Sequence, residues 1–408
     1  MCAKRTYFGY MRLLMMAVGI WRLHNQQSSA VTRVLYQVYS VLFHLIYSSA
    51  MISLGVDLPG LLATDRLAAM DNIGKFIIGG VTILKMFMCQ SNDVVNLLRL
   101  ALNQDAEIST HIDPEIVKIY NWHIVCDNKF ISLLVISATL MGTCITILGD
   151  INCFMLKRIP QNNVTEKPLL LHYWYPFDRN KYYSAVIIDQ NIRPTLACLC
   201  IGVVSAFANC VIFFLRTQLK VLQYNFRNFD KYVDKDDVER LLKVLCAQHQ
   251  QLIKYFEKFN QSLKNIVFLE YLVSSVLFAT LIVQITAGNE LITNSIILLS
   301  TTVQLLTFSW TSNEIIVQSL ELARALFESN WYDQTEAAKL VVRIMMMRCQ
   351  KPLCLRVGNM GVMDLNAGLS VSLKLKLLLL IPIPRSMLFK NKQLLIEYYQ
   401  SIGFVVHL

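Results

Sequence analysis

Six long segments almost free of ionisable residues dominate the chain, and they commit it to a lipid bilayer. Five are uninterrupted, at 34–56, 130–149, 194–215, 271–289 and 291–313; the sixth, 76–92, holds a single cation, Lys85. Each approaches or exceeds the roughly 20 helical residues that cross a hydrocarbon core. A lone strand in lipid would leave its backbone polar groups unpaired, so these segments read as helices. The spans are placed near 34–56, 70–92, 130–149, 194–215, 267–289 and 291–313, which makes the expected fold an all-α polytopic membrane protein.

Composition excludes several other classes. Apolar residues make up 55% and charged residues only 16% of the 408, and the mean hydropathy is +0.44. A soluble chain is about one quarter charged. The net charge of +10 does not indicate nucleic acid, because the cations are spread over loops between spans and form no compact basic domain. There they set topology and meet anionic headgroups of the lipid bilayer. No GxSxG, HExxH or glycine-rich phosphate loop is present, and no pair of acids lies at membrane depth, so the chain does not read as an enzyme. No cofactor is implied.

Orientation follows from the basic residues. Lys and Arg number 24 on the N-terminal side (1–33, 93–129, 216–264 and 314–356) and 13 on the opposite side. The excess predicts a cytoplasmic N-terminus. Of two glycosylation sequons, Asn163-Val164-Thr165 then falls outside and Asn260-Gln261-Ser262 inside. Asn163 is therefore the expected glycan acceptor. The N-terminal run from Leu13 to Ile20 lacks a small-residue cleavage site and is broken by Trp21-Arg22. It reads as an interfacial amphipathic helix rather than a signal peptide.

Other features are local. Asp113-Pro114-Glu115 has the form of a helix start: an N-cap carboxylate, proline in the first turn and an acid beside it. That helix should run on into the span at Phe130. Val238, Leu241, Leu242, Leu245, Leu252, Ile253, Phe256 and Phe259 form a stripe of helical period. The stripe serves either as an assembly surface or as packing between neighbouring helices. Gly288-Asn289-Glu290 is short enough to make the flanking spans antiparallel neighbours. The aromatic run His172-Tyr173-Trp174-Tyr175-Pro176-Phe177-Asp178 suits a folded lid better than a tether. Lys85 and Glu270 are read as snorkelling toward the basic side. Histidine and cysteine recur at helical spacing (His123/Cys126, Cys246/His249) without the frame of a zinc site. A bridge from Cys153 to Cys198 or Cys200 is left open.

A set of motifs then resembles the insect odorant receptor family. Its C-terminal signature is approached by Phe308-Ser309-Trp310-Thr311-Ser312-Asn313-Glu314, Gln318-Ser319, Ala323, Trp331 and Lys351-Pro352-Leu353 through Gly358. Trp174-Tyr175-Pro176-Phe177-Asp178 with Gln190 is similar to the family's second extracellular loop, and Gly19-Ile20-Trp21 to its N-terminal segment. The resemblance covers about residues 8–373. It implies a seven-transmembrane helix bundle with a cytoplasmic N-terminus and helical cytoplasmic extensions, serving as one subunit of a ligand-gated cation channel in the plasma membrane of olfactory sensory neurons. It also implies a heterotetramer with the odorant receptor co-receptor subunit, and a small volatile odorant bound in the outer half of the second, third, fourth and sixth helices. By depth and spacing the expected pocket residues are Phe76, Gly79 and Gly80; Gly142, Ile145 and Thr146; Thr195, Leu199 and Gly202; and Asn294, Leu298 and Thr301. They are apolar with a few hydroxyls and one amide, which suits a neutral ligand. For each of them, ordinary helix packing is the competing explanation, the glycines above all. A G-protein-coupled receptor would show an Asp-Arg-Tyr-like end to its third helix and the opposite charge bias. A gustatory receptor of the same superfamily is closer, but the Trp-Tyr-Pro-Phe loop argues for the odorant branch.

The chain leaves the family pattern after about residue 373, so the domain reads as 1–373 with an atypical tail, 374–408. A seventh span at 357–381 would carry Asp364, Lys374 and Lys376, at ~2.5–3.5 kcal/mol for each central charge. Pro382 and Pro384 would then end it. These features suit an alternative exon, a read-through intron or a misplaced gene boundary, and leave a truncated or non-conducting isoform as the alternative function. Sequencing the transcript across codons 365–385 tests this: a different, apolar continuation is expected, and the same basic tail in the mature message would rule out a boundary error.

Overall fold

The computed structural model describes residues 6–21, 29–64, 66–108, 113–157, 171, 173–231, 237–287, 291–357 and 361–366. The described residues form nine α-helices: α1 (Gly9–Ala17), α2 (Ala30–Thr64), α3 (Arg66–Cys89), α4 (Asn92–Ile108), α5 (Pro114–Lys157), α6 (Tyr183–Asn228), α7 (Val238–Ala287), α8 (Leu291–Phe327) and α9 (Glu336–Cys349). Six of them, α2, α3 and α5–α8, are long and apolar enough to cross a membrane. They coincide with the six predicted spans. The seventh predicted span lies mostly beyond residue 366, and with Asn163 and the 288–290 hairpin it falls outside the described residues.

The long helices overrun the bilayer. At 46 and 50 residues, α6 and α7 are about 70 Å long at ~1.5 Å per residue, against a hydrocarbon core of about 30 Å. Their charged ends are therefore helical and stand outside it. α5 starts where the sequence predicted, with the Asp113 carboxylate accepting from Glu115 N–H at 2.9 Å. α7 and α8 pack side by side, as the short hairpin requires.

At one end of the bundle, here called the α9 end, the overrunning helices gather with α1, α4 and α9. α1 turns one apolar face onto protein and leaves Leu13 exposed on the other. Met11 and Met15 are buried, as are Val18, Ile20 and Trp21 beyond the helix, and α1 packs on α5 and α6. Gly19 turns the chain with φ +73, where a Cβ would also sit 3.1 Å from the Ser40 backbone of α2, so the position suits glycine alone. Tyr7 anchors this segment. Its N–H donates to Asp105 at 2.9 Å, and its hydroxyl donates to Asp127, which is also paired with Arg216. Asp105 accepts a further bond from Tyr120 at 2.6 Å.

The stripe on α7 is consumed inside the chain. Val238, Leu242, Leu245, Leu252, Ile253, Phe256 and Phe259 are all buried, and Leu241 packs against them. This settles the alternative left by the sequence in favour of packing between neighbours. α9 is capped by Thr335, which accepts from Ala338 N–H at 3.3 Å, and buries Ala338, Val342, Met345 and Cys349. Burial pushes the Cys349 thiol up to about 12. Outside the bundle core, Arg227 and Arg324 hold the Glu328 carboxyl below its usual range. After α9 the chain is pinned by Leu353 N–H to Ser319 at 3.0 Å and by Arg356 N–H to Asn260 at 3.1 Å.

Arg216→Met leaves the buried Asp127 without a counter-charge and costs about 3 kcal/mol. Tyr7→Phe removes one hydrogen bond to the same carboxylate and costs about 1–2 kcal/mol. Thermal melting of purified protein in detergent should rank Arg216→Met as the larger loss; equal or negligible losses would contradict the anchor.

Candidate ligand-binding region

At the opposite end, a loop closes over α2 and α6. Gln190 of α6 grips the backbone of Leu171 twice, its amide oxygen accepting at 3.4 Å and its amide nitrogen donating at 2.8 Å. Trp174 N–H donates to the Ser53 carbonyl of α2 at 3.1 Å. Tyr173 is buried beneath, with the Arg193 guanidinium 5.5 Å from its ring centre. Asp189 holds Arg193 at 2.7 Å and accepts from the Tyr175 hydroxyl at 2.8 Å. The aromatic run is a folded cap, as its composition suggested.

Below the cap, α2, α3, α5 and α6 come together through small residues. Gly79 of α3 lies directly under Met51 of α2; a Cβ there would meet the thioether sulfur at 1.9 Å. Gly142 of α5 receives Cys198 and the Thr195 backbone of α6, and Gly202 receives Ala138 and Val135. Phe76 turns its ring onto Gly55 of α2, while Gly80 faces open space. Leu199 packs against the core. Ile145 and Leu298 are half-buried, and Asn294 is buried on α8. The hydroxyls of Thr146, Thr195 and Thr301 donate to carbonyls of their own helices, at 2.9, 2.9 and 2.8 Å.

The predicted residues thus include one compact group, Gly142, Thr195 and Leu199 with Gly202 one turn on, and a second at Gly79. Those of α8 lie along a different helix that packs on α6. The sequence reading left out Tyr47, Met51, Thr82, Cys198 and Tyr173. Tyr47 is 3% exposed and neighbours Thr82, Cys198, Cys200 and Tyr173. Tyr47 is one of three phenols in its span, with Tyr36 and Tyr39, so the sequence carried no specific signal for it. Cys198 and Cys200 are free thiols.

Deeper in the bundle a polar network joins four helices. Lys85 of α3 pairs with Glu270 of α7. Gln304 of α8 donates to Glu270 at 3.1 Å and also to Ser205 of α6. Lys85 is only 6% exposed, so the snorkelling expected of it does not occur. Each long side chain finds a partner across the bundle, which costs less than carrying a bare charge through lipid. Toward the α9 end the links continue, Tyr271 to Ser309 at 3.0 Å and Thr311 to Asn209 at 2.8 Å. A separate cleft of about 120 Å³ lies between α4, α6 and α7, lined by Gln104, Glu107, Gln218 and Gln251 among others. It is at the α9 end, away from the predicted pocket residues. Among the described residues, no group of three His, Cys, Asp or Glu side chains could hold a metal ion.

The profile of the 7tm odorant receptor family matches residues 68–372. The chain belongs to this family. Odorant receptor Or2 of Anopheles gambiae is 24% identical over 197 residues, covering 45% of this chain and 51% of that one. Odorant receptor 30a of Drosophila melanogaster is 24% identical over 252 residues, covering 59% and 64%. The chain therefore spans about half to two thirds of the length of these curated relatives. Its fold is similar to the solved insect olfactory receptor OR5 from Machilis hrabei, with a TM-score of 0.74 at 14% identity, covering 94% of this chain and 97% of that one. The same receptor in complex with eugenol matches with a TM-score of 0.73 at 15% identity, covering 92% and 97%. In this odorant receptor chain the signature residues Ser309, Thr311, Gln318 and Ser319 are all buried and hydrogen-bonded. Ser309, Thr311 and Gln318 tie α8 to α7 and α6, and Ser319 holds the segment after α9.

Lys85→Met and Glu270→Gln should each destabilise the bundle by about 3 kcal/mol, because the remaining partner is left buried and unpaired. The exchange Lys85→Glu with Glu270→Lys should recover more than half of that loss in detergent melting. An exchange variant no better than the worse single variant would show that the pair is not direct.

Proposed function

We propose that this chain is the odorant-binding subunit of a ligand-gated cation channel, working with the odorant receptor co-receptor in the plasma membrane of olfactory sensory neurons. The observation that carries this reading is family membership over residues 68–372, joined to a capped, apolar meeting point of α2, α3, α5 and α6. In this reading the α9 end faces the cytosol, in line with the basic residues gathered there, and Asn163 outside carries a glycan. A small volatile odorant enters beneath the Tyr173–Phe177 cap. It contacts the group around Gly79, Gly142, Thr195 and Leu199, with Phe76, Gly80, Ile145, Thr146, Gly202, Asn294, Leu298 and Thr301 as further candidates. The solved relative in complex with eugenol supports a small aromatic guest.

Burying roughly 300 Å² of ligand at ~25 cal/mol/Å² yields about 7 kcal/mol before association costs. Binding is then micromolar or weaker. Opening follows only from tighter binding to the open state than to the closed one.

Assembly needs an unused apolar surface, and α9 has one. Leu340, Ile344 and Met347, spaced four and three residues apart, are 57%, 52% and 60% exposed on the face opposite Ala338, Val342 and Met345. At the cytosolic end no lipid is there to cover them, which supports contact with the co-receptor. The charged tail favours one alternative, a subunit that assembles without conducting.

Cells expressing the chain with the co-receptor should give a cation current on exposure to a panel of volatiles, and none when either subunit is absent. Replacing Leu340, Ile344 and Met347 together by Ser should abolish co-purification of the two subunits while leaving the chain folded. Current carried by this chain alone, or co-purification untouched by the triple change, would contradict the reading.

A further inference from the structure

The N-terminal segment stands at the height of the apolar layer. Residues 6–21 hold one side chain charged at neutral pH, Arg12. At the start of the segment, the rings of Tyr7 and Phe8 lie 5.4 and 5.1 Å from that of Phe214. Phe214 is inside the charge-free run that ends before Arg216. At the far end, the Ser40 hydroxyl donates to the Gly19 carbonyl at 2.6 Å, and Trp21 N–H donates to the Tyr36 hydroxyl at 3.0 Å. Ser40 is seven residues past Arg33, the last cation before the span of α2, or about 10 Å along the helix at ~1.5 Å per residue. Both ends of α1 therefore meet the spans on the apolar side of their boundary cations. An amphipathic helix in a membrane surface lies at such a depth, about 5–10 Å into the boundary between headgroups and acyl chains.

The two faces of α1 differ. Met11 and Met15 are buried, where α1 packs on α5 and α6, whereas Leu13 is 64% exposed with Arg12 and Ala17 exposed beside it. This outer face adjoins the apolar surface of α2. Tyr39 donates its hydroxyl to the Ala17 carbonyl, and Val34, Leu35 and Val38 are exposed on the same stretch of α2. Charge favours an anionic neighbour, since Lys4, Arg5, Arg12, Arg22 and Arg33 precede the first acid of the sequence, Asp57. The carboxylates packed near α1, Asp105 and Asp127, are taken by Tyr7, Tyr120 and Arg216. The Arg12 guanidinium has no hydrogen-bond or ionic partner among the described residues. At this depth an arginine lays its apolar stem along the protein and carries its fork out to the headgroups, where a phosphate accepts two parallel N–H bonds.

We infer that the outer face of α1 is a lipid-binding surface in the leaflet at the α9 end, with Leu13 among acyl chains and Arg12 holding the phosphate of an anionic lipid. In the orientation proposed above this is the cytosolic leaflet, which carries the anionic lipids. One cation at such a surface favours an anionic over a zwitterionic lipid by about fivefold.

A nitrobenzoxadiazole fluorophore on Leu13→Cys tests this in the purified full-length chain. The chain is held in phosphatidylcholine nanodiscs containing an equal small share of brominated phosphatidylcholine or brominated phosphatidylserine, and labelled wild type supplies the background from native cysteines. Bromine quenches only on close approach, so both lipids should dim the probe, the serine lipid by up to about fivefold more. With Arg12→Gln added, the two should quench alike. Both side chains are exposed, so neither change should unfold the chain. A probe that neither lipid dims puts α1 away from the bilayer and overturns the inference. Equal quenching with Arg12 in place, or a preference that survives Arg12→Gln, overturns it as well. The two faces of a nanodisc carry the same lipid, so an inverted topology would leave the result unchanged and is told apart from failure of the inference.

Discussion

The enclosure of α6 by its neighbours is the constraint on which the rest of the structure depends. From Val203 to Leu215 nearly every side chain of this helix is buried, so no face is left for lipid. Small residues let α5 approach it, at Gly142 and Gly202. Polar fasteners tie the other helices: Asn209 to Thr311 of α8, Gln223 to the Gln318 carbonyl at 2.8 Å, Arg216 to Asp127 of α5. Through Gln304, Ser205 reaches the Glu270–Lys85 pair and so α7 and α3. Lipid tails are as apolar as leucine, so helices in a membrane gain little from burying apolar surface against each other. Close packing and hydrogen bonds must hold them instead.

That arrangement divides the molecule into two ends with different chemistry. The α9 end is crowded with charge and with buried carboxylates shared by several donors, as Asp105 and Asp127 are shared around Tyr7. It is suited to rigidity and to contact with other subunits. The opposite end is held by small residues and by a folded loop, and its Arg193–Asp189 pair is internal to it. The ionic network lies between the two, joining α3 and α6 to α7 and α8.

Much of the fold was legible because charge is so costly in lipid: each of the six gaps between ionisable residues falls on one of the six long apolar helices. The cap of α5 was legible for a local reason, since Asp113-Pro114-Glu115 carries its own hydrogen-bonding geometry. What escaped the sequence was pairing over distance. Lys85 and Glu270 are 185 residues apart, and nothing in one dimension brings them together, so snorkelling was the sensible expectation. The α7 stripe had the period of a buried face but no mark of what buries it. The glycines proposed for the pocket show the same limit: at Gly79, Gly142 and Gly202 the lack of a side chain serves close helix approach, and periodicity alone does not separate that from room for a ligand.

Ligand entry, glycosylation and assembly all follow from which end of the bundle faces the cytosol. Antibody labelling of an epitope placed before Met1, in intact and in permeabilised cells, tests this most directly. Labelling only after permeabilisation is the result the account predicts; labelling of intact cells would invert the molecule and contradict it.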